Sequence, residues 1–445
     1  MTTALRRQFA DLLPRLSSAG ALTLTRPIFG KVTRVMGNLI YAIAPEARLG
    51  EICELADPVS GMWAEAEIVG FDDGVVILSP LGPIFGLSTE TRVQPARRFS
   101  AVPVGDALLG RILDGFGRPL DADEKGALPP MPLRSLLSEA PPALSRRMID
   151  RPLSLGLRVI DGLLTCGEGQ RIGIYGQAGT GKSLTLAQIL RAADVDVRVI
   201  ALVGERGREV REFIERHLSA TLSTTVVVVA TSDRSSVERM KAAQTAMTIS
   251  EYFREQGKRV LLVVDSVTRL ARALREIGLS AGEPPTRRGF PPSIFTALPA
   301  LFERAGMSDS GSITAIFTVL VEGEILSDPI AEETRSLLDG HIVLSQKLAQ
   351  AGHFPAVDVA ASISRVMMDI VTPDHQAAAQ TIRELISKYN DIEFLIRVGE
   401  YKSGSDPVAD AAIEKKNAID HFLRQRFNER GDLLDTISLM KRIAS

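Results

Sequence analysis

The sequence predicts a doubly wound α/β domain, preceded by a small β-barrel and followed by a helical domain. Between residues 171 and about 345, strand-length apolar runs alternate with helical patterns, which is typical of a mainly parallel sheet covered on both faces. From residue 22 to about 95, short strand-like pieces are separated by turn residues. After about residue 371 the strands stop and apolar residues keep helical spacing. We therefore divide the chain into an arm (1–20), a barrel (21–95), an α/β domain (96–370) and a helical domain (371–445).

The arm, the barrel and the helical domain are predicted from periodicity. The apolar residues of the arm are spaced for a short amphipathic helix, and they are Leu5, Phe9, Leu12 and Leu13. Such a helix either docks on its own protein or binds a partner. The predicted barrel strands are Leu22–Thr25, Lys31–Val35, Leu39–Ile43, the Glu65/Glu67 alternation after Trp63, and Val75–Leu78. Helical spacing after residue 371 is kept by Ala378, Ile382, Leu385, Ile386 and Tyr389.

The α/β domain is predicted to contain five strands that are buried on both faces: Arg171–Tyr175, Val197–Val203, Thr224–Ala230, Arg259–Val264 and Ile313–Leu320. A helix over 235–256 begins with a capping box from Ser235 to Glu238. Seven of the 24 prolines cluster over 119–152 and predict an extended connection. In such a sheet the ligand site lies at the carboxyl ends of the strands.

Composition limits the classes of protein that the chain can represent. Its 52 Lys and Arg balance 54 Asp and Glu, so no overall basic field exists to hold a polyanion. Cys53, Cys166 and the five histidines lack the spacing of a disulfide frame or a metal site, and so few thiols are typical of a reducing compartment. Apolar runs stay far below the ~18 residues that span a bilayer, and charges interrupt any signal peptide in residues 1–20. We expect a cytoplasmic protein without a nucleic-acid partner.

One segment matches a phosphate-binding motif in full. Residues 176–183 read Gly-Gln-Ala-Gly-Thr-Gly-Lys-Ser, the pattern G-x-x-x-x-G-K-[ST], between a predicted strand and a predicted helix. Backbone N–H groups of such a loop converge on bound phosphates, and glycines permit the close approach that a Cβ would prevent. We expect ATP and Mg²⁺ as cofactors, with Lys182 bridging the β- and γ-phosphates and the Ser183 hydroxyl coordinating the metal. The predicted nucleotide-binding residues of this loop are Gly176, Gln177, Ala178, Gly179, Thr180, Gly181, Lys182, Ser183 and Leu184.

Two acidic residues follow predicted strands. Asp265 ends the strand that starts at Arg259 and could hold Mg²⁺ through a water, although an aspartate there is also a common turn former or helix cap. Glu205 follows the strand that ends at Val203, on the same rim as the phosphate loop. A carboxylate at that place can accept a proton from the water that attacks the γ-phosphate. The alternative is an acidic residue that complements a helix dipole, a role that Glu209 would fill equally well.

Four further segments resemble the ATPases of type III protein secretion systems and their flagellar export relatives, within the superfamily of rotary ATP synthase catalytic subunits. They are DSVTRLARA from Asp265, GEPPTRRGFPPS from Gly282, LLDGHIVLS from Leu337 and ASISR from Ala361. The resemblance runs from about residue 22 to 425 and implies a RecA-like P-loop ATPase core. Residues 332–340 and 395–401 look more like the secretion branch than the flagellar one.

The resemblance implies roles that spacing alone does not assign. It makes Glu205 the catalytic carboxylate and places Arg206 and Arg269 around the active site. It makes Arg365 an arginine finger that reaches into the site of a neighbouring subunit, where a cation would stabilise charge on the transferring phosphoryl group. A surface arginine or a local ion pair is the alternative for Arg365. Phe354 matches the family position whose ring packs on adenine, with a core phenylalanine as the alternative.

The resemblance also implies a homohexamer that hydrolyses ATP to energise protein export, releasing substrates from chaperones and promoting their unfolding. Its implied partners are a stator or regulator protein at the N-terminal arm, a central stalk protein, the export gate and chaperone–substrate complexes. The implied location is peripheral, at the inner face of the bacterial inner membrane.

Four alternatives remain open at this point. A flagellar export ATPase would have the same site. A rotary synthase subunit needs a paired non-catalytic chain, whereas this chain contains both Glu205 and Arg365. A hexameric nucleic-acid helicase is disfavoured by the net charge of −2 and by a barrel that lacks a basic, aromatic face. A scaffold without turnover is disfavoured by the intact set of Lys182, Ser183, Glu205 and Asp265.

Overall fold

The computed structural model describes residues 29–321, 323 and 328–445. It contains two compact units, one ending at Ser100 and one beginning at Ala101. The predicted arm (1–20) and the predicted strand Leu22–Thr25 lie outside the described residues. Within the described ranges, no helix combines the length and the apolar character that crossing a membrane requires.

The strands are β1 Gly30–Met36, β2 Leu39–Ile43, β3 Glu51–Ala56, β4 Trp63–Asp72, β5 Val75–Pro80, β6 Arg92–Phe99, β7 Ala101–Pro103, β8 Ile112–Asp114, β9 Leu133–Ser135, β10 Pro152–Leu153, β11 Cys166–Gly167, β12 Arg171–Gly176, β13 Val197–Val203, β14 Thr225–Ala230, β15 Arg259–Asp265, β16 Gly306–Met307, β17 Ser312–Leu320, β18 Gly340–Leu344 and β19 Val357–Ser364. The α-helices are α1 Ala122–Lys125, α2 Arg158–Leu163, α3 Lys182–Ala192, α4 Gly207–Phe213, α5 Ser236–Glu255, α6 Val267–Ser280, α7 Ile294–Phe302, α8 Pro329–Leu337, α9 Gln346–Gln350, α10 Met367–Ile370, α11 Pro373–Arg397, α12 Pro407–Leu423 and α13 Leu433–Ala444.

The first unit is a closed barrel in the order β1-β2-β5-β4-β3-β6, which confirms the predicted β-barrel. Its interior is apolar and fully buried at Ile40, Leu55 and Leu78. Cys53 lies among these side chains, and burial raises the pKa of its thiol to about 12. The sequence pattern did not indicate β3 and β6, because their outward faces carry charges and β6 contains a proline.

The second unit is built on a nine-stranded sheet with the path β19-β18-β12-β17-β15-β13-β14-β8, and β16 pairs with β17. Neighbours on this path are parallel except β18 and β19, so the predicted doubly wound α/β fold is confirmed. The five predicted core strands are present. The sequence analysis did not predict β8, β18 and β19, which are short or polar and lie toward the ends of the path.

Helices cover both faces of the sheet. One apolar cluster joins α5, α6, α7 and α8 to the sheet, and another joins α2 and α3 to the C-terminal helices α11, α12 and α13. One half of the predicted capping box of α5 is present, since the Ser235 side chain accepts a hydrogen bond from the Glu238 amide. The proline-rich connection belongs to the second unit and packs near its sheet, where Arg304 Nη1 donates to the carbonyl of Leu136. The sheet therefore lies between two apolar layers, with its carboxyl edge free to form a site.

Candidate active site

The phosphate-binding loop joins β12 to α3. Gly179 and Gly181 have φ values of 81° and 83°, in the left-handed region that favours glycine. No described atom lies within 4 Å of the place that a Cβ on Gly179 would occupy. Inside the loop, Thr180 is buried and its Oγ1 donates to the carbonyl of Gln177 at 2.9 Å. This open, backbone-lined turn in front of a helix N-terminus is suited to an anion.

The start of α3 and the ends of β15 and β17 bring a lysine, a carboxylate and a hydroxyl together behind the loop. Lys182 Nζ lies 2.8 Å from Asp265 Oδ1, and both side chains are almost fully buried. Thr318 Oγ1 donates to the same Asp265 oxygen at 2.6 Å. The sequence analysis missed Thr318, although a threonine near the carboxyl end of the buried strand β17 was a signal that could have found it.

Glu205 lies at the same edge, on the turn that follows β13. Its Oε2 is 3.1 Å from Nη2 of Arg269, which reaches it from α6. Arg269 also donates through Nη1 to the carbonyl of Gly204. Gly204 has a φ of 70°, and a Cβ there would lie 3.1 Å from Arg269 Cδ, so glycine leaves room for this arginine. The arginine therefore holds the carboxylate and the turn together.

The electrostatic environment of Glu205 is unusual for a glutamate. Burial, and then the neighbouring charge of Asp265, raise the pKa of Glu205 from 4.5 to about 7. Arg269 and Lys182 oppose this shift, and a hydrogen bond with Glu209 adds to it. A carboxyl group that titrates near neutral pH can both accept and return a proton, which is the property of a general base.

Glu205 lines a cavity of about 250 Å³, together with the exposed Ser183 of the loop and Asp265. The other polar side chains in its wall are Glu209, Glu212 and His217. We name it the acidic cavity. Its donor set suits Mg²⁺, which commonly uses one or two carboxylates together with substrate phosphates and water. Among the described residues, no group of three or more His, Cys, Asp or Glu side chains could hold a metal ion without such help.

Phe354 and Leu184 lie beside the loop, partly exposed. A Cβ on Gly181 would be 3.0 Å from Phe354 Cε1, so the ring packs against the last glycine of the loop. Its side chain is 38% exposed, which is unlike a core phenylalanine. Gln177 is only weakly attached, through a 3.3 Å hydrogen bond from its Nε2 to the carbonyl of Gly323. The exposed ring provides an aromatic surface at the entrance to the site.

The structure does not bring two of the predicted arginines into this group. Arg206 is exposed, and its Nη1 lies 3.5 Å from Oε1 of Glu209. Arg365 lies at the opposite edge of the sheet: its amide donates to the carbonyl of Asp339, whose own amide donates to Arg171 at the start of β12. The loop begins at the other end of β12, roughly 17 Å away along five residue steps. Arg365 is thus outside the site that Lys182 of the same chain forms.

Protein-family models cover both units. The nucleotide-binding domain of the ATP synthase alpha/beta family matches residues 156–364, and the beta-barrel domain of that family matches 32–96. Residues 371–442 match the C-terminal domain of the type 3 secretion ATPase EscN. Fold and site together define a P-loop ATPase of the ATP synthase alpha/beta type.

Curated relatives make the assignment more specific. The type 3 secretion system ATPase of Sinorhizobium fredii is 54% identical over 422 residues, which are 95% of this chain and 93% of the relative. That of Xanthomonas euvesicatoria is 52% identical over 93% of each chain. The flagellum-specific ATP synthase of Bacillus subtilis is 45% identical, over 93% of this chain and 94% of its own. The chain belongs to the family of type 3 secretion system ATPases, and it is an ATPase.

Solved structures agree with this assignment. The assembled ATPase EscN from enteropathogenic E. coli superposes with a TM-score of 0.89 at 48% identity, covering 94% of this chain and all of that chain. EscN in complex with its central stalk EscO superposes with a TM-score of 0.86 at 47% identity, over the same shares of the two chains. Both structures thus contain EscN in its assembled form.

Proposed function

We propose that this chain hydrolyses Mg²⁺-bound ATP at sites that are each completed by a neighbouring copy, and that hydrolysis drives type III protein export. The observation that carries the proposal is the separation of two groups. Lys182, Asp265 and Glu205 converge at one edge of the sheet, whereas Arg365 is exposed at the other edge. An arginine that cannot reach the site of its own chain is available to the site of another.

The chemistry follows from the residues of the site. The amides of the loop and Lys182 bind the phosphates, and Phe354 supports the adenine ring. Glu205 accepts a proton from the attacking water as its oxygen bonds to the γ-phosphorus and the bond to the bridging oxygen of ADP breaks. Arg365 of a neighbour stabilises the charge on the transferring group. Ser183 and Asp265 would hold Mg²⁺, which supplies charge neutralisation on the phosphate oxygens when it is bound.

The proposed assembly is a homohexamer around a central stalk. Support comes from the relatives, since EscN was solved as an assembly and also with its stalk EscO. A stator or regulator at the N-terminal arm and the export gate are further proposed partners, which would give a peripheral location at the membrane. For chaperone–substrate complexes, the end of α11 offers exposed apolar side chains at Phe394, Leu395 and Val398.

The shared site is tested by ATP hydrolysis at several protein concentrations. We expect specific activity to rise with concentration, and Lys182→Ala, Glu205→Gln and Arg365→Ala each to lose at least about a hundredfold in kcat, the loss typical of one group that stabilises the transition state. Mixing the last two variants creates some sites with an intact Glu205 and an intact neighbouring Arg365, so part of the activity returns.

Arg397→Ala is the matched control, because Arg397 is also exposed but pairs with Glu393 on its own helix. It should hydrolyse ATP normally. Activity that is flat with concentration, together with a fully active Arg365→Ala, would refute the shared site. For the export role, the readout is ATP-dependent dissociation of a purified chaperone–substrate complex, which Glu205→Gln should not support.

A further inference from the structure

A second cavity is lined by Arg269, the ion-pair partner of the proposed catalytic carboxylate Glu205. It has a volume of about 340 Å³ and is lined by Ala178 of the phosphate loop, by Gly204, by Ser232 beyond β14 and by the end of β17. Its charged wall consists of Arg239, Arg269 and Arg272, and no carboxylate belongs to the described lining. We name it the basic cavity.

The ion pair between Glu205 and Arg269 belongs to both cavities. Glu205 lines the acidic cavity with Ser183 and Asp265, whereas Arg269, 3.1 Å away, lines the basic one. A cavity lined by carboxylates and a cavity lined by arginines therefore meet at the ion pair of the carboxylate proposed to activate water. An attacking water and a metal suit the first, and a multiply charged anion suits the second.

The hydrogen-bonding state of Arg239 points to an anion. Its Nη2 donates to Glu276 at 2.6 Å, but its buried Nε has no hydrogen-bond partner among the described residues. A buried donor without a partner is costly, and native structures rarely retain one without a ligand or water. Guanidinium groups bind phosphate through parallel hydrogen bonds, and the Ser232 hydroxyl can add another.

We propose that the basic cavity binds the inorganic phosphate released by hydrolysis, with Arg239, Arg272 and Ser232 as its recognition groups, while ADP still occupies the phosphate loop. The inference rests on the proposed function only for the source of the phosphate. The cavity touches the loop at Ala178, so the product would reach it by passing the Glu205–Arg269 pair. Phosphate could then leave before the nucleotide does.

The test is equilibrium binding of inorganic phosphate to the full-length chain by calorimetry, in chloride at fixed ionic strength, with and without saturating ADP. We expect phosphate to bind the ADP-loaded chain, because ADP occupies the loop but not the basic cavity. Arg239→Gln and Arg272→Gln should each weaken phosphate binding about tenfold, the loss expected for a hydrogen bond to a charged group. Affinity for ADP should stay within twofold.

Arg234→Gln is the matched control. Arg234 lies just before α5, is exposed and lies outside the described lining, so its loss removes the same charge without removing a ligand. If saturating ADP abolishes phosphate binding, the phosphate was on the loop and the proposal is wrong. The proposal would also be overturned if Arg234→Gln lost as much phosphate affinity as the cavity variants, or if Arg272→Gln lost none. Arg272 is exposed, so its variant serves even if Arg239→Gln folds poorly.

A kinetic measurement separates this inference from the proposed function. Inorganic phosphate should inhibit wild-type hydrolysis, and its inhibition constant should rise about tenfold in Arg272→Gln while that of ADP does not change. An unchanged inhibition constant would count against the site. Because calorimetry needs no turnover, the binding result stands even if Glu205→Gln proves active and the proposed catalytic mechanism fails.

Discussion

Lys182 Nζ and Asp265 Oδ1 lie 2.8 Å apart, and the hydroxyl of Thr318 donates to the same carboxylate oxygen. This arrangement ties the start of α3 to the ends of β15 and β17. It keeps both charged groups satisfied in a nearly water-free position, where an unpaired charge would be costly. The contact therefore sets where the lysine and the proposed metal ligand stand before nucleotide binds.

Thr318 is expected to position Asp265. Thr318→Val removes the hydrogen bond but keeps the shape, and should lower kcat about tenfold, since one net hydrogen bond is worth about 1.4 kcal/mol. Thr318→Ser keeps the donor and should restore most of the rate. The measurement is steady-state phosphate release. Equal rates for the valine and serine variants would show that the hydroxyl has no such role.

Hydrolysis is expected to depend on pH through Glu205. Its pKa is raised to about 7, and the base must be ionised to accept a proton, so kcat should rise as pH increases through about 7. Glu209→Gln removes a hydrogen bond that raises this pKa, and should move the rise to lower pH. Glu212→Gln changes another carboxylate of the acidic cavity and serves as control. If kcat of Glu209→Gln rises at the same pH as kcat of the wild type, Glu205 is not the titrating group.

Gly204 is expected to be needed both for stability and for rate. Alanine there would adopt a positive φ, at a cost of about 1–2 kcal/mol in the free energy of unfolding, and its Cβ would press on Arg269. We expect a lower kcat as well, because Arg269 would be displaced from Glu205. Gly207→Ala is the control, since no described atom lies within 4 Å of its Cβ. Urea unfolding and hydrolysis rates test both effects, and equal behaviour of the two variants would contradict them.

Phe354 is expected to contribute to nucleotide affinity more than to turnover. Phe354→Ala should raise KM for ATP about tenfold, because stacking of a base on an aromatic ring is worth about 1–3 kcal/mol. Phe354→Tyr keeps the ring and should bind ATP nearly as well. Phe85→Ala removes an exposed ring from the barrel and is the control. An unchanged KM in Phe354→Ala would assign that ring a packing role only.

The sequence by itself determined the three-part architecture and the phosphate loop, because both depend on patterns of residues that are close together in the chain. Apolar runs of strand length report burial on both faces, and the loop motif needs its glycines and lysine at fixed spacing. Strands with charged or polar outer faces, such as β3, β6 and β19, escaped prediction, because only pairing with neighbours makes them strands.

Only the tertiary structure decided which distant residues meet. Thr318, Arg239 and Arg272 joined the site because parallel strands and their following helices place chain segments far apart in sequence on one edge of the sheet. The same geometry carried Arg365 to the opposite edge, since β19 runs antiparallel to β18. Local sequence specifies which backbone conformation each residue adopts, whereas the pairing order of the strands specifies which side chains share a cavity.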